Sequence, residues 1–296
     1  MSETKLAALA ISWYDDNARD LPWRVPGVGA WPVLVSEVML QQTPVVRVLP
    51  VWQQWVDRWP TPAALAAEIP GEAIRMWGRL GYPRRALRLH ECATALVERH
   101  DGRVPEDLDE LLALPGIGSY TARAVAAFAF GQRHPVVDTN VRRLVARAVA
   151  GEPDAGPATR PADLVATAEL LPPEPTVAAR ASAAFMELGA LVCTARAPRC
   201  GACPLAAACT WYGTGRPALP GTPSRRPQRY AGTDRQVRGL LLAVLRDSRG
   251  PVPTQRLDLV WADEVQRSRA LAGLVQDGLV ELAGDSCVLA GERREP

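Results

Sequence analysis

The chain has 296 residues, 48% of them hydrophobic, which is enough for one large domain or for a main domain with an appendage. A formal net charge of only +2 excludes a global basic field as a sign of nucleic-acid binding and shifts attention to local arginine clusters. The N-terminus lacks a signal-peptide pattern and no apolar run approaches bilayer-spanning length, so the expectation is a cytoplasmic protein with no membrane association. In that reducing compartment six cysteines point to metal ligation or packing rather than to disulfides.

In chain order, residues 5–18 read as a helix with Leu6, Leu9, Ala10 and Trp13 on one side, and residues 19–32 as a loop rich in Pro, Gly and Trp. Helices follow at 33–42, 45–59, 62–67, 71–80, 84–100, 106–113, 119–130, 140–149, 160–170 and 177–192, punctuated by Pro and Gly. Few β-branched alternating runs occur before residue 230, so the body is all-α. Residues 213–232, rich in Gly, Pro and Arg, read as a basic linker. Beyond it, helices at 234–247, 254–260 and 264–277 and two strands, Leu279–Ala283 and Ser286–Ala290 around Gly284-Asp285, suggest a winged helix over 233–296. Arginines cluster at Arg84, Arg85 and Arg88, at Arg142, Arg143 and Arg147, and at Arg225, Arg226, Arg229, Arg235 and Arg238. Each cluster is either a solvated helix face or a phosphate-binding patch.

Chemistry concentrates in four places. Leu114-Pro-Gly-Ile-Gly-Ser-Tyr-Thr121 is a helix-hairpin-helix pattern: Gly116 and Gly118 let the backbone pass close to another molecule, and the N–H groups opening the second helix form an anion site. The same letters also suit an ordinary turn between packed helices. Asp138, just ahead of the helix bearing Arg142, Arg143 and Arg147, is a helix N-cap, a carboxylate held where charge develops, or both. Glu37, among Val35, Val38, Met39 and Leu40, has surroundings that raise a carboxyl pKa and suit a general acid, unless it faces solvent from an amphipathic helix. Gln41 and Gln42 fill space inside an opened duplex or merely cover the surface. Cys193, Cys200, Cys203 and Cys209 give C-x6-C-x2-C-x5-C within 17 residues, a set that holds zinc or a 4Fe-4S cluster; the spacing is unlike paired zinc knuckles and favours the cluster. Cys92 and Cys287 read as packing residues, and His90, His100 and His134 are too scattered for a metal site.

Together these residues resemble the helix-hairpin-helix DNA glycosylase superfamily with an iron-sulfur loop, which includes endonuclease III. Leu21-Pro-Trp-Arg24, Ser36 to Thr43, Leu80-Gly-Tyr82 and Asp138-Thr-Asn-Val141 are similar to the adenine-excising members of the MutY type. The likeness covers roughly residues 5–212 and implies a glycosylase core over 1–212, with the iron-sulfur loop at 193–209. It implies an all-α enzyme of base-excision repair, a monomer that acts on double-stranded DNA containing adenine mispaired with 8-oxoguanine or guanine. Glu37 would protonate the leaving base, and Asp138 would stabilise the oxocarbenium-like sugar. Asn140 would orient Asp138, with Tyr120 beside the sugar. Gln42 and Tyr82 would wedge into the stack while the base is flipped out. Trp23, Arg24, Leu40 and Val45 would line the base pocket.

Bifunctional relatives carry a lysine at the position of Tyr120. This chain has a single lysine, Lys5, against 33 arginines, so the resemblance implies a monofunctional enzyme. Two departures stand out. Ala183 occupies a place where members often carry Gln or Glu to read the adenine edge, and the C-terminal segment is much shorter than the usual Nudix-like domain that inspects 8-oxoguanine. The rival readings are an endonuclease III-like enzyme for oxidised pyrimidines and a non-catalytic DNA-binding iron-sulfur protein.

Overall fold

In the computed structural model, which describes residues 3–156, 159–217 and 230–292, proline and glycine punctuation sets the helix boundaries. The helices are α1 (Glu3–Asn17), α2 (Ala30–Leu40), α3 (Val45–Arg58), α4 (Pro62–Ala66), α5 (Pro70–Trp77), α6 (Arg84–Arg99), α7 (Leu108–Leu112), α8 (Ser119–Phe130), α9 (Thr139–Val145), α10 (Pro161–Leu170), α11 (Pro175–Leu191) and α12 (Thr210–Gly213). Pro62, Pro70, Pro161 and Pro175 each open a helix, where a missing N–H costs nothing. The helix expected over 140–149 differs from expectation: α9 stops at Val145 and passes into a π turn at Ala146–Ala150. Most of the expected linker, residues 218–229, lies outside the described residues, together with Arg225, Arg226 and Arg229.

Two compact units form, and neither follows chain order. The first comprises residues 1–34, 105–113 and 117–224; the second comprises 35–104, 114–116 and 225–296. The first is cored by α1, α9, α10 and α11, with Ala7, Ala10, Leu144, Phe185 and Leu188 nearly or wholly buried. Glu187 of α11, itself fully buried, accepts both Nε and Nη2 of Arg19 at 2.7 Å and Nη2 of Arg24 at 2.9 Å. Burial alone would raise this carboxyl, but the two guanidinium groups outweigh it and hold it down to about 2. A depressed carboxylate stabilises fully above its unfolded value of 4.5 and loses that contribution as pH falls toward 2. Glu187→Gln should therefore lower stability at pH 6 and lose that deficit near pH 2. Thermal melts of both proteins across that range check it, and a deficit independent of pH would exclude the linkage.

In the second unit Trp55 packs edge-on against Trp59 (4.7 Å between centroids) and against Trp77 (5.6 Å). Its C-terminal part runs α13 (Asp234–Asp247), β1 (Val252–Pro253), α14 (Thr254–Asp258), α15 (Glu264–Gln276), β2 (Val280–Ala283) and β3 (Ser286–Leu289), the element order of a winged helix. The antiparallel sheet is ordered β1-β3-β2, with Val252 opposite Cys287 and Val280 opposite Leu289. Strand β1 escaped the sequence reading because it is two residues long and ends in a proline, which only an edge strand tolerates. Residues 225–296 group with 35–104 because Ile74 of α5, fully buried, belongs to the same apolar core as Val237, Leu241, Leu274 and Leu289. Cys92 and Cys287 are fully buried thiols whose pKa burial raises, that of Cys92 to about 12, as packing residues. Among the described residues no helix is long and apolar enough to cross a membrane.

Candidate active site

The hairpin turn lies between α7, capped by the Asp107 carboxylate on the N–H groups of Asp109 and Glu110, and α8, which begins after Gly118. Gly116 has φ +74, and a Cβ there would lie 2.8 Å from Cβ of Arg88, so only glycine fits. A Cβ on Gly118 would meet nothing within 4 Å, which leaves the N-terminal approach to α8 open. Half-buried Tyr120 packs on Ala124, Ala127, Val136 and Ala179.

Asp138 does two things at once. Its Oδ1 caps α9 by accepting the N–H groups of Asn140 (2.8 Å) and Val141 (2.7 Å), and its Oδ2 accepts the side-chain amide of Asn140 at 2.7 Å. Burial raises this carboxyl above its ordinary value, against the pull of those hydrogen bonds and of the Arg143 guanidinium. Arg143 in turn donates to Asn140 Oδ1 (2.8 Å), Gly189 O (2.7 Å) and Cys193 O (2.7 Å), fixing the amide that holds Asp138. Gly189 makes this possible: a Cβ there would lie 2.7 Å from Asn140 O, so α11 approaches the start of α9 only with glycine at that position.

Arg147, on the π turn, organises the cysteine loop. It donates to Pro153 O, Thr194 O and Ala195 O, points Nη1 at the Cys193 sulfur (3.4 Å) and stacks 4.6 Å from the Trp211 ring. Arg142 is equally enclosed, with Nε 2.8 Å from Asp163. This cluster is therefore not a solvated helix face; what the local sequence could not show is that later segments supply the acceptors, from 13 to 21 residues on for Arg142 and up to 50 residues on for Arg143. Cys193, Cys200, Cys203 and Cys209 are free and half-buried. Burial and the charges of the other three sulfurs push the Cys203 thiol up to about 11, against an N–H bond from Leu205. Cys209 is likewise raised by burial, against N–H bonds from Tyr212 and Trp211. Among the described residues no three His, Cys, Asp or Glu side chains converge in metal-holding geometry.

Trp23 is buried on the turn Pro22–Arg24. Arg24 spends one nitrogen on Glu187 and leaves Nη1 buried with no hydrogen-bond partner among the described residues, a donor in reserve.

In the second unit Glu37 is buried, at 5% exposure, which removes the solvent-facing alternative. Leu40 ends α2 and Val45 opens α3, both half-buried, with exposed Gln42 between them. Gln42 (φ +53) and Tyr82 (φ +48) are two of four non-glycine residues with positive φ among those described, a cost of order 1–3 kcal/mol each that the surroundings must hold. Arg85, read from sequence only as one of a cluster, supplies that hold. Buried and pulled down to about 10 by desolvation, it donates to Val38 O (2.8 Å), Met39 O (3.0 Å), Gln41 O (2.6 Å), Thr43 Oγ1 (2.9 Å) and Gly81 O (3.1 Å). One guanidinium thus closes the carbonyl end of the helix carrying Glu37 and ties the Gln42 turn to the Tyr82 turn. Trp23, Arg24, Tyr120, Asp138, Asn140, Gly118 and the four cysteines belong to the first unit; Glu37, Leu40, Gln42, Val45, Tyr82 and Gly116 belong to the second.

Residues 35–169 match the family described as HhH-GPD superfamily base excision DNA repair protein. An adenine DNA glycosylase of Mycolicibacterium smegmatis is 62% identical over 284 residues, covering 95% of each chain. Among solved structures, a thermostable thymine-DNA glycosylase superposes with TM-score 0.64 at 24% identity over 72% of this chain and 97% of its own. A trapped endonuclease III-DNA covalent intermediate does so with TM-score 0.61 at 22% identity, over 73% and 99%. At such identities the structural likeness is one of fold.

Proposed function

The chain belongs to the HhH-GPD superfamily of base excision DNA repair proteins, in its adenine DNA glycosylase branch, and on that premise we propose that it removes adenine mispaired with 8-oxoguanine or guanine from duplex DNA. It acts as a monomer on chromosomal DNA in the bacterial cytosol. Water replaces the base at C1′ of the sugar as the N-glycosidic bond breaks. Buried Glu37 hands a proton to the departing adenine, and Asp138 faces the sugar cation. The observation that carries this reading is the hydrogen-bonding of Asp138: one oxygen caps α9 and the other is held by Asn140, so the carboxylate is fixed in place before substrate arrives. We assign Gln42 and Tyr82, on strained turns, as the wedges, and Trp23, Arg24, Leu40 and Val45 as contacts to the extruded base; Gly116 and Gly118 open the backbone to phosphate.

Tyr120 in place of a lysine leaves no amine there to form a Schiff base, so excision is hydrolytic and without strand cleavage. Single-turnover assays on duplexes bearing A opposite 8-oxoguanine, G, C or T test the whole reading. Product should appear only after alkali and only with the first two; excision of an oxidised pyrimidine, or cleavage without alkali, would overturn it.

Cys193, Cys200, Cys203 and Cys209 fit a 4Fe-4S cluster by the chemistry of the donor set. N–H groups already aim at the Cys203 and Cys209 sulfurs, and thiols pushed up by burial and mutual repulsion need iron to become thiolates. The group would fold the loop carrying exposed Arg196 and Arg199 into a basic, phosphate-binding surface. Purified protein should be brown with about four irons per chain; a colourless, active protein with one zinc would refute the assignment.

A further inference from the structure

The turn from Gly78 to Pro83 presents Tyr82 half-exposed, at 53%, and its carbonyls are held by arginines from three helices. Arg47 of α3 donates to Arg79 O, Arg85 of α6 to Gly81 O, and Arg246 of α13 to Gly78 O. Arg246 is the unexpected member. It comes from the C-terminal part of the chain, has no ion-pair partner among the described residues, and keeps a buried Nε without a hydrogen bond. Burying a guanidinium that pairs with no carboxylate at contact distance costs stability, and its hydrogen bond to the Gly78 carbonyl offsets part of that cost. The far end of the turn is gripped as well: Asp277, just after α15, takes Arg84 at 3.4 Å together with Arg238. The grip is stiff, because Arg75 of α5 donates to Leu245 O (3.2 Å), Arg246 O and Ser248 O (2.7 Å), while Gly71 N–H donates to Ala290 O at 2.7 Å.

The same domain is poorly suited to touching DNA. Residues 233–292 hold seven arginines against nine carboxylates. The start of α15, which a DNA-reading winged helix would offer to the groove, carries Asp263 at the N-cap and Glu264 in the first turn. Its Arg267 and Arg269 are already paired with Asp258 and Asp234.

We propose that the C-terminal winged-helix domain is a positioning device for the Tyr82 turn, with Arg246 and Asp277 holding its two ends, so that recognition of the mispair depends on a domain that does not itself contact DNA. This rests on the reading above that Tyr82 enters the duplex.

The test uses the full-length chain and a double-mutant cycle of Arg246→Met with Tyr82→Ala. Readouts are single-turnover excision opposite 8-oxoguanine and guanine, fluorescence of 2-aminopurine placed in the duplex beside the mispair, and the salt dependence of duplex binding. Wild-type excision of adenine is established first; if it is absent, the functional reading fails and the cycle is not its cause. Arg246→Met alone should slow excision on the order of tenfold to a hundredfold, change the 8-oxoguanine preference and weaken the fluorescence change, with the salt slope unaltered. In the Tyr82→Ala background it should cost nothing further. Arg246→Lys, which keeps the charge and one donor, should recover part of the loss. Additive losses, an unchanged rate, or a salt slope reduced by about one, the mark of a lost phosphate contact, would each overturn the proposal. Where Arg246→Met does not fold, Asp277→Asn at the more exposed end of the turn runs the same cycle with the same outcomes.

Discussion

Asp138→Asn should bind duplex DNA as the wild type does and excise adenine at least about a hundredfold more slowly, the typical effect of removing one preorganised charge from a cationic transition state. The amide oxygen can still cap α9 through Asn140 and Val141, so the fold survives. The new amide nitrogen meets the Asn140 amide, which until then had an oxygen to donate to. The pH profile of the wild type gives a second readout. Burial raises the Asp138 carboxyl above 3.8, and the ionised form is the working one, so excision should fail as pH drops through a value above 3.8. Near-normal turnover by the folded variant, or an acid limb below that value, would remove Asp138 from the chemistry.

Arg85→Met should lower the unfolding free energy by about 3 kcal/mol or more, since several buried acceptors lose one donor at once. An apolar chain of similar length keeps the packing against Trp77, whose ring lies 5.1 Å from the guanidinium, so the loss reports hydrogen bonding rather than volume. Arg85→Lys should rescue little, because a single ammonium cannot reach acceptors on two turns. Urea denaturation measures the change, and a shift under about 0.5 kcal/mol, the size of an ordinary surface substitution, would show that the carbonyls find water instead.

Most helices were legible in the sequence to within two or three residues, because Pro and Gly mark their ends and caps such as Asp107 and Asp138 are local signals. Residues 234–247 are helical over the span that periodicity predicts. Of the two roles considered for Asp138 the helix cap is seen directly, at Oδ1, while Oδ2 is held by the Asn140 amide and carries the role proposed above. What local pattern could not convey was the destination of long side chains. Arg85, Arg143, Arg147 and Arg246 look like surface charge on a helical wheel, yet each reaches carbonyls distant in the chain. The alliance of Ile74 with the C-terminal core was hidden for the same reason: an apolar residue on α5 announces burial but not its partner.

The pairing of Arg19 with Glu187 has a consequence for biosynthesis. The two residues are 168 positions apart, and at elongation rates of about 5–20 residues per second the N-terminal helix is made roughly ten to thirty seconds before α11. During that interval the face of α1 that will bury Ala7 and Ala10 stays uncovered. The first unit therefore cannot close co-translationally from its N-terminus, and nascent chains stalled short of α11 should be protease-sensitive and bound by chaperones.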